Sequence, residues 1–116
     1  MVEKVVLDYL KEKLDVDVSM ERRANAPEKY VLVEKIGSKE ENYIETATLA
    51  IRSFAESMYE AAVLNGQVKT MMKNIVELPD VSKCSCGSDY NYTDTTAKKY
   101  CYRAAFNIVY LGGNES

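Results

Sequence analysis

Near the start of the chain, the spacing of apolar residues has the period of an amphipathic helix. Apolar side chains recur at intervals of three and four from Val2 to Leu14, which predicts a helix over residues 2–14. Apolar and acidic residues then alternate strictly from Leu14 to Val18, as in a half-buried strand. Residues 21–29 contain charges, Asn, Ala and the first proline, and this composition predicts a loop.

Two strands follow, and they are expected to lie at the centre of a sheet. Residues 30–36 are strongly β-prone, and the polar residues 39–42 predict a turn. Residues 43–54 form the second strand, whose two faces are both fairly apolar, as expected for a strand in the middle of a sheet. The simplest arrangement pairs these two strands as a hairpin.

A second helix is predicted from Ser57 to Leu78, because apolar residues return to helical spacing and Pro79 then ends the pattern. Gly66 lies inside this helix and costs about 1 kcal/mol relative to Ala. Its presence indicates either close packing against the sheet or a slight kink.

The last part of the chain predicts a hairpin, with a weaker strand over 81–92, a turn over 92–96 and a clear strand over 99–111. The even-numbered face of the last strand is apolar and must be covered by the helices. The side chains expected to be largely buried there are Tyr102, Phe106 and Ile108.

The order of elements is therefore α-β-β-β-α-β-β. Short connections favour antiparallel pairing, so we expect an α+β fold: a single mixed, mostly antiparallel sheet of four to five strands with two helices packed on one face. A chain of 116 residues suits a single domain over residues 1–116. Residues 112–116 are expected to be a frayed tail.

Composition and charge narrow the class of protein. The chain is 47% hydrophobic and 28% charged, as in ordinary globular proteins. No unbroken apolar run exceeds four residues, so we expect no membrane span, and the charged N-terminus does not resemble a signal peptide. The net charge is −3, and the basic doublets Arg22-Arg23 and Lys98-Lys99 are isolated, so no dedicated nucleic-acid site is expected.

The chain contains no histidine. This excludes Ser-His-Asp and Cys-His nucleophile systems and removes the commonest metal ligand. A carboxylate pair or a lysine with a depressed pKa is the remaining route to acid–base chemistry, but no paired acids stand in an apolar context. There is also no glycine-rich phosphate-binding motif. We therefore expect a protein that is not an enzyme and that has no cofactor and no small-molecule substrate.

Three cysteines, Cys84, Cys86 and Cys101, offer two interpretations. With Asp89 they are enough for a four-ligand metal site, but the Cys-x-Cys spacing is too tight for a structural zinc centre. The favoured interpretation is reduced, metal-free thiols that pack on two adjacent strands. A hairpin centred on residues 92–95 would bring Cys86 opposite Cys101.

The order of segments resembles the tail-terminator family (tail-completion or minor structural proteins) of long-tailed bacteriophages and prophages with non-contractile tails. The resemblance covers residues 1–111 and rests on several loose motifs in order. Pro27 precedes the strand Tyr30-Val31-Leu32-Val33 that closes at Gly37, Ala55-Glu56-Ser57 leads into a helix at Ala61, and the closing strand begins Lys99-Tyr100.

The resemblance implies a virion structural protein that assembles as a hexameric ring. Such a ring caps the tail tube, stops its polymerisation and forms the docking surface for head–tail joining. The implied partners are other copies of the chain, the major tail-tube protein and the connector or stopper protein of the head. DNA passes through the ring without specific binding. The implied location is the tail or neck of the virion, after assembly in the cytoplasm of the bacterial host.

Two polar segments are expected to project from the sheet and contact neighbouring subunits or the tube. The interaction residues predicted on them are Arg22, Arg23, Lys39, Glu40, Glu41 and Tyr43. The alternative for these two segments is that they are simply solvated turns. For the whole protein, the alternative is another neck or tail-tube component, or a non-catalytic, protein-binding adaptor of the same fold.

Overall fold

The structure, a computed structural model, describes residues 1–21, 24–97 and 99–111. The predicted order of elements is confirmed. The helices are α1 (Val2–Lys13) and α2 (Met58–Asn74), and a 3-10 turn (Ile75–Glu77) extends α2. The strands are β1 (Asp17–Ser19), β2 (Tyr30–Glu41), β3 (Ile44–Ala55), β4 (Val81–Asn91) and β5 (Tyr100–Tyr110).

The five strands form one mixed sheet in the order β1-β2-β3-β5-β4. β1 pairs with β2 in parallel, and the other neighbours are antiparallel. β3 is the middle strand, as its two apolar faces predict. β1 pairs only with the first three residues of β2. In the described part of the chain, no strand pairs with the rest of the outer edge of β2 or with the outer edge of β4.

The main core lies between the two helices and one face of the sheet. Phe106 and Ile108 are buried there, as predicted, and Leu10, Leu64 and Met72 reach them from the helices. Tyr102 is on the same face but only half-buried, so its prediction was too strong. Its neighbours on β4 and α2, Asn91 and Met58, are themselves at the edge of the helix layer.

A smaller apolar cluster lies on the opposite face of the sheet, at one end. Tyr30 and Phe54 stack with ring centroids 4.6 Å apart, and Leu32 and Cys101 are buried beside them. Ala26 of the loop before β2 packs over this cluster. Neither helix of the described residues packs on this side of the sheet, and we call the whole of it the open face.

The hairpin between β2 and β3 differs from the prediction. Residues 39–41 continue β2, and the turn is formed by Asn42 and Tyr43, whose φ angles of 52° and 67° are those of a two-residue type I′ turn. The polarity of residues 39–42 predicts a turn, and this prediction is wrong for residues 39–41. A strand that is solvated on both faces, however, tolerates charges at every position.

The pairing of β4 with β5 also corrects one expectation. Cys86 lies opposite Phe106, not opposite Cys101. The chain reverses further along than predicted, with Asp94 bridged to Lys99. Cys101 points to the open face, whereas Cys84 packs against the helix-side core.

Candidate functional site

The predicted interaction residues fall into two groups. Arg22 and Arg23 lie outside the described residues. Lys39, Glu40 and Glu41 end β2, and Tyr43 occupies the turn. These last four belong to a hairpin that we call the arm, Gly37–Thr48.

The tip of the arm is exposed and acidic. Tyr43 is 69% exposed. Its backbone has a left-handed conformation that a bulky residue rarely adopts. Lys39 lies 3.8 Å from the carboxylate of Glu41, and this pair is exposed enough to contribute little to stability. Because Glu40 adds a second carboxylate, the tip has a net negative charge.

The base of the arm is fixed by an ion-pair cluster. Lys35 Nζ lies 3.3 Å from Glu45 of β3 and 3.5 Å from Glu3 of α1. Glu45 is only 5% exposed. Burial acts to lower the pKa of Lys35, but the two carboxylates outweigh it and raise that pKa above its ordinary value. The arm therefore extends from a rigid support.

The open face carries a second polar cluster, which we call the arginine–tyrosine face and define as Arg52, Tyr90, Tyr92 and Arg103. Arg52 and Arg103 are directly opposite each other on β3 and β5. Arg103 donates a hydrogen bond of 2.9 Å to the hydroxyl of Tyr90. Its guanidinium lies 5.8 Å from the ring centroid of Tyr90 and 6.0 Å from that of Tyr92.

These side chains, with Glu34, line an open cavity of about 360 Å³. Glu34 lies 3.9 Å from Arg52 and is the acid that partly balances the two guanidinium groups. Two arginines directly opposite each other on adjacent strands repel and destabilise a sheet. With Glu34 as the one acid among the lining residues, the cavity carries more positive than negative charge.

Sequence reasoning did not single out the arginine–tyrosine face. The alternation in β5 predicts that Arg103 lies on the face opposite the helices, but the two apolar faces of β3 do not predict on which side Arg52 lies. The sequence does not predict the register of the strands, which places Arg103 between Arg52 on β3 and Tyr90 on β4.

A second cavity, of about 420 Å³, lies on the open face beside Tyr30 and Phe54, close to the arginine–tyrosine face because Phe54 follows Arg52 by two positions on β3. Glu28 and Glu56 line it together with Lys99. A hydrogen bond and charge repulsion between the two carboxyl groups raise the pKa of Glu56. This pair of acids was not predicted, because its members come from two separate loops. Both residues are exposed, so they lack the desolvated surroundings that tune catalytic carboxyl groups.

The thiols are divided between the two faces of the sheet. Burial, and to a smaller extent charge repulsion from Cys86, raise the pKa of Cys84 to about 11, which makes it a poor nucleophile. Cys101 is on the opposite face and cannot join Cys84 and Cys86 around one metal ion. In the described ranges, no three Cys, Asp or Glu side chains converge on a common point.

Comparison with protein-family models and with curated proteins returned no match to this chain. Within the part of the chain that the structure describes, neither helix is long and apolar enough to cross a membrane.

Proposed function

We propose that this protein is a phage virion structural protein, a tail terminator that caps the tail tube as a ring and forms the surface to which the head connector docks. The resemblance of its segment order to that family is one support. The fold adds an independent one, which lies in the edges of the sheet.

The observation that carries the proposal is the pair of strand edges, on opposite sides of one sheet, with which no strand of the described residues pairs. One is the outer side of β2 beyond Leu32, and the other is the outer side of β4. Unpaired edges are templates for strand addition. Contacts between different surfaces of identical subunits generate closed rings when the rotation closes. A subunit of this kind suits a ring that ends a tube.

The charge of the chain supports the same role. A net charge of −3 repels DNA from the ring surface rather than holding it. The proposed role is structural rather than catalytic, and the proposed location is the tail or neck of the virion.

Tube capping is the direct test. Adding the purified protein to polymerising tail-tube protein should narrow the distribution of tube lengths in electron micrographs and place a ring at one tube end. Unchanged lengths, together with a monomer in sedimentation at every concentration, would contradict the proposal and favour the adaptor alternative.

A variant sharpens this test at the predicted loop. Replacing Arg22 and Arg23 with Glu should leave the melting temperature nearly unchanged and stop capping. A charge-matched control replaces Lys11 and Lys73, which are exposed on the helices, with Glu and should still cap. Normal tube lengths with the loop variant would show that this loop does not form the contact.

A further inference from the structure

We propose that the tip of the arm of one copy docks on the arginine–tyrosine face of a second copy, with the Glu41 carboxylate between Arg52 and Arg103 and the Tyr43 ring against Tyr90 and Tyr92. This inference rests on the ring assembly proposed above. It assigns a binding site to the open face and identifies what occupies it.

The face has a positive charge that its own copy does not balance. Arg52 and Arg103 are adjacent, and Glu34, the acid beside them, is 52% exposed and 3.9 Å from Arg52. Arg103 forms no ion pair among the described residues, and its guanidinium donates a hydrogen bond to the hydroxyl of Tyr90. Paired guanidinium groups bind a carboxylate through parallel N–H donors, so this face suits an incoming acidic side chain.

The tip has the complementary properties. By the register of β2 with β3, Glu41 lies opposite Ile44, on the side of the sheet that carries Arg52. Ile44 is 41% exposed and Tyr43 69% exposed, so an apolar and an aromatic side chain stand beside the carboxylate. Tyrosine is a common anchor in protein interfaces. Its ring can also pack edge-to-face on other aromatic rings, as Tyr90 and Tyr92 already do at 5.9 Å.

The two sites cannot meet within one copy. Arg52 is eight positions after Ile44 on the same strand, a distance of about 26 Å in extended chain. The contact therefore joins two copies, and when the arm of the second copy docks on a third copy rather than back on the first, it is of the type that closes into rings. Because Tyr90 and Tyr92 are on and beside β4, it also brings the free edge of β2 on one copy towards the free edge of β4 on the next.

The charges around the face favour a protein segment over nucleic acid. Single-stranded nucleic acid also stacks on aromatic side chains beside arginines. A binding groove for it, however, follows the phosphate backbone with several cations. Here the two arginines are accompanied by Glu34, and Glu28 and Glu56 line the neighbouring cavity on the same face.

A charge exchange tests the contact in the full-length protein. Arg103→Glu and Glu41→Arg each place like charges in the proposed interface, so each variant alone should self-associate at least tenfold more weakly in sedimentation. Mixing the two variants, or combining both substitutions in one chain, restores opposite charges and should restore assembly. Lys83→Glu is the control, because Lys83 is on the same face of β4 but outside the cavity. Unchanged melting temperatures establish that each variant is folded.

Four outcomes separate the possibilities. If the single variants assemble like the native protein, the contact is wrong and the ring proposal stands. If assembly follows the charge exchange but tubes are not capped, the contact stands and the proposed function is wrong. If the native protein stays monomeric both alone and with tube protein, both are wrong. If Arg103→Glu abolishes binding of a fluorescent single-stranded oligonucleotide, the face binds nucleic acid and the proposed occupant is wrong.

Discussion

Lys35 links three elements through a single charged group. It contacts Glu3 of α1 and Glu45 of β3 while its own backbone belongs to β2. The side chain of Glu45 is 7% exposed, so this carboxylate relies on Lys35 for compensation. Removing one partner of a buried ion pair costs far more than removing an exposed one, because an uncompensated charge remains.

We therefore expect Lys35→Ala to lower the free energy of unfolding by about 2–4 kcal/mol. On the alkaline side, the raised pKa of Lys35 means that the contribution of the ion pair is complete from pH 7 up to pH 10.5, the ordinary pKa of lysine, and is lost as the pH rises through the higher value of the folded state. Urea unfolding at pH 7 measures the loss. The control is Lys39→Ala at a side chain that is 80% exposed, where a change within about 0.5 kcal/mol is expected. Equal effects of the two substitutions would show that the cluster does not support the arm.

Phe106 is a position where the sequence alone was informative. Its burial followed from the apolar face of the last strand, and it is 2% exposed in the main core. Phe106→Ala should cost about 3–5 kcal/mol, most of a small domain's stability. Ser85→Ala, on the exposed side of the adjacent strand, serves as control. A melting temperature lowered by only a degree or two would contradict the assignment of this face.

Among the elements, β3 and the arm show where a sequence pattern predicts the structure and where it does not. The two apolar faces of β3 predict its place at the centre of the sheet, because a central strand has neighbours on both edges and packs on both faces. The arm has no buried face along β2, so no periodic signal marks where that strand ends. The turn residues Asn42 and Tyr43 contain no glycine, and a positive φ at tyrosine leaves no trace in the sequence.

Tyr43→Gly should raise the stability of the hairpin, because glycine adopts a positive φ without steric cost. Strained positions of this kind cost about 1–3 kcal/mol, and we expect about 1 kcal/mol to be recovered after the added flexibility of glycine is subtracted. The same substitution removes the aromatic anchor of the proposed contact and should weaken self-association. Thermal unfolding and sedimentation of one preparation measure both effects. A variant that is more stable and assembles normally would exclude the ring of Tyr43 from the interface.

Of the two reasons for Gly66 that the sequence indicates, close packing against the sheet is wrong. A methyl group built at this residue meets nothing within 4 Å, and α2 runs unbroken from Met58 to Asn74. Gly66→Ala should therefore stabilise the protein by about 0.5–1 kcal/mol through helix propensity alone. Denaturant unfolding with an unchanged m-value is the measurement. A loss of stability would reveal a close contact at this helix position.

At the scale of the whole molecule, the sequence predicts that two helices cover one face of a sheet, but it does not predict which side chains meet across neighbouring strands. Fold class, element order and the helix-covered face follow from periodicity and short connections. The open face depends on register, since a shift of β4 or β3 by two residues would separate Arg103 from Tyr90 or Arg52 while leaving every side chain on the same face. The pair Glu28 and Glu56 depends on how two loops meet. Chemistry built across strands is therefore the part that periodicity leaves undetermined.

The edge strand β4 depends on α2 for a polar attachment as well as on β5 for its backbone pairing. Asn65, buried at 3% exposure, donates a hydrogen bond of 2.7 Å to Asp89, and Lys69 forms an ion pair with the other carboxylate oxygen. Burial acts to raise the pKa of Asp89, but these two partners outweigh it and lower that pKa below its ordinary value of 3.8. The contribution of the contact is complete above that value and is lost as the pH falls through the lower pKa of the folded state.

Asp89→Ala should consequently lower the free energy of local opening of β4 more than that of the arm. It leaves the buried Asn65 amide without its acceptor, at a cost of about 1–3 kcal/mol. Every opening of β4 breaks the contact, so amide hydrogen exchange in β4 at pH 7 should rise about tenfold for each 1.4 kcal/mol lost. Opening of the arm leaves the contact intact, so exchange within Gly37–Thr48 should not change. Ser88→Ala, at an exposed side chain of the same strand, should affect neither segment. Equal acceleration in β4 and in the arm would show that the two segments open together, and that the edge strand is not held independently by α2.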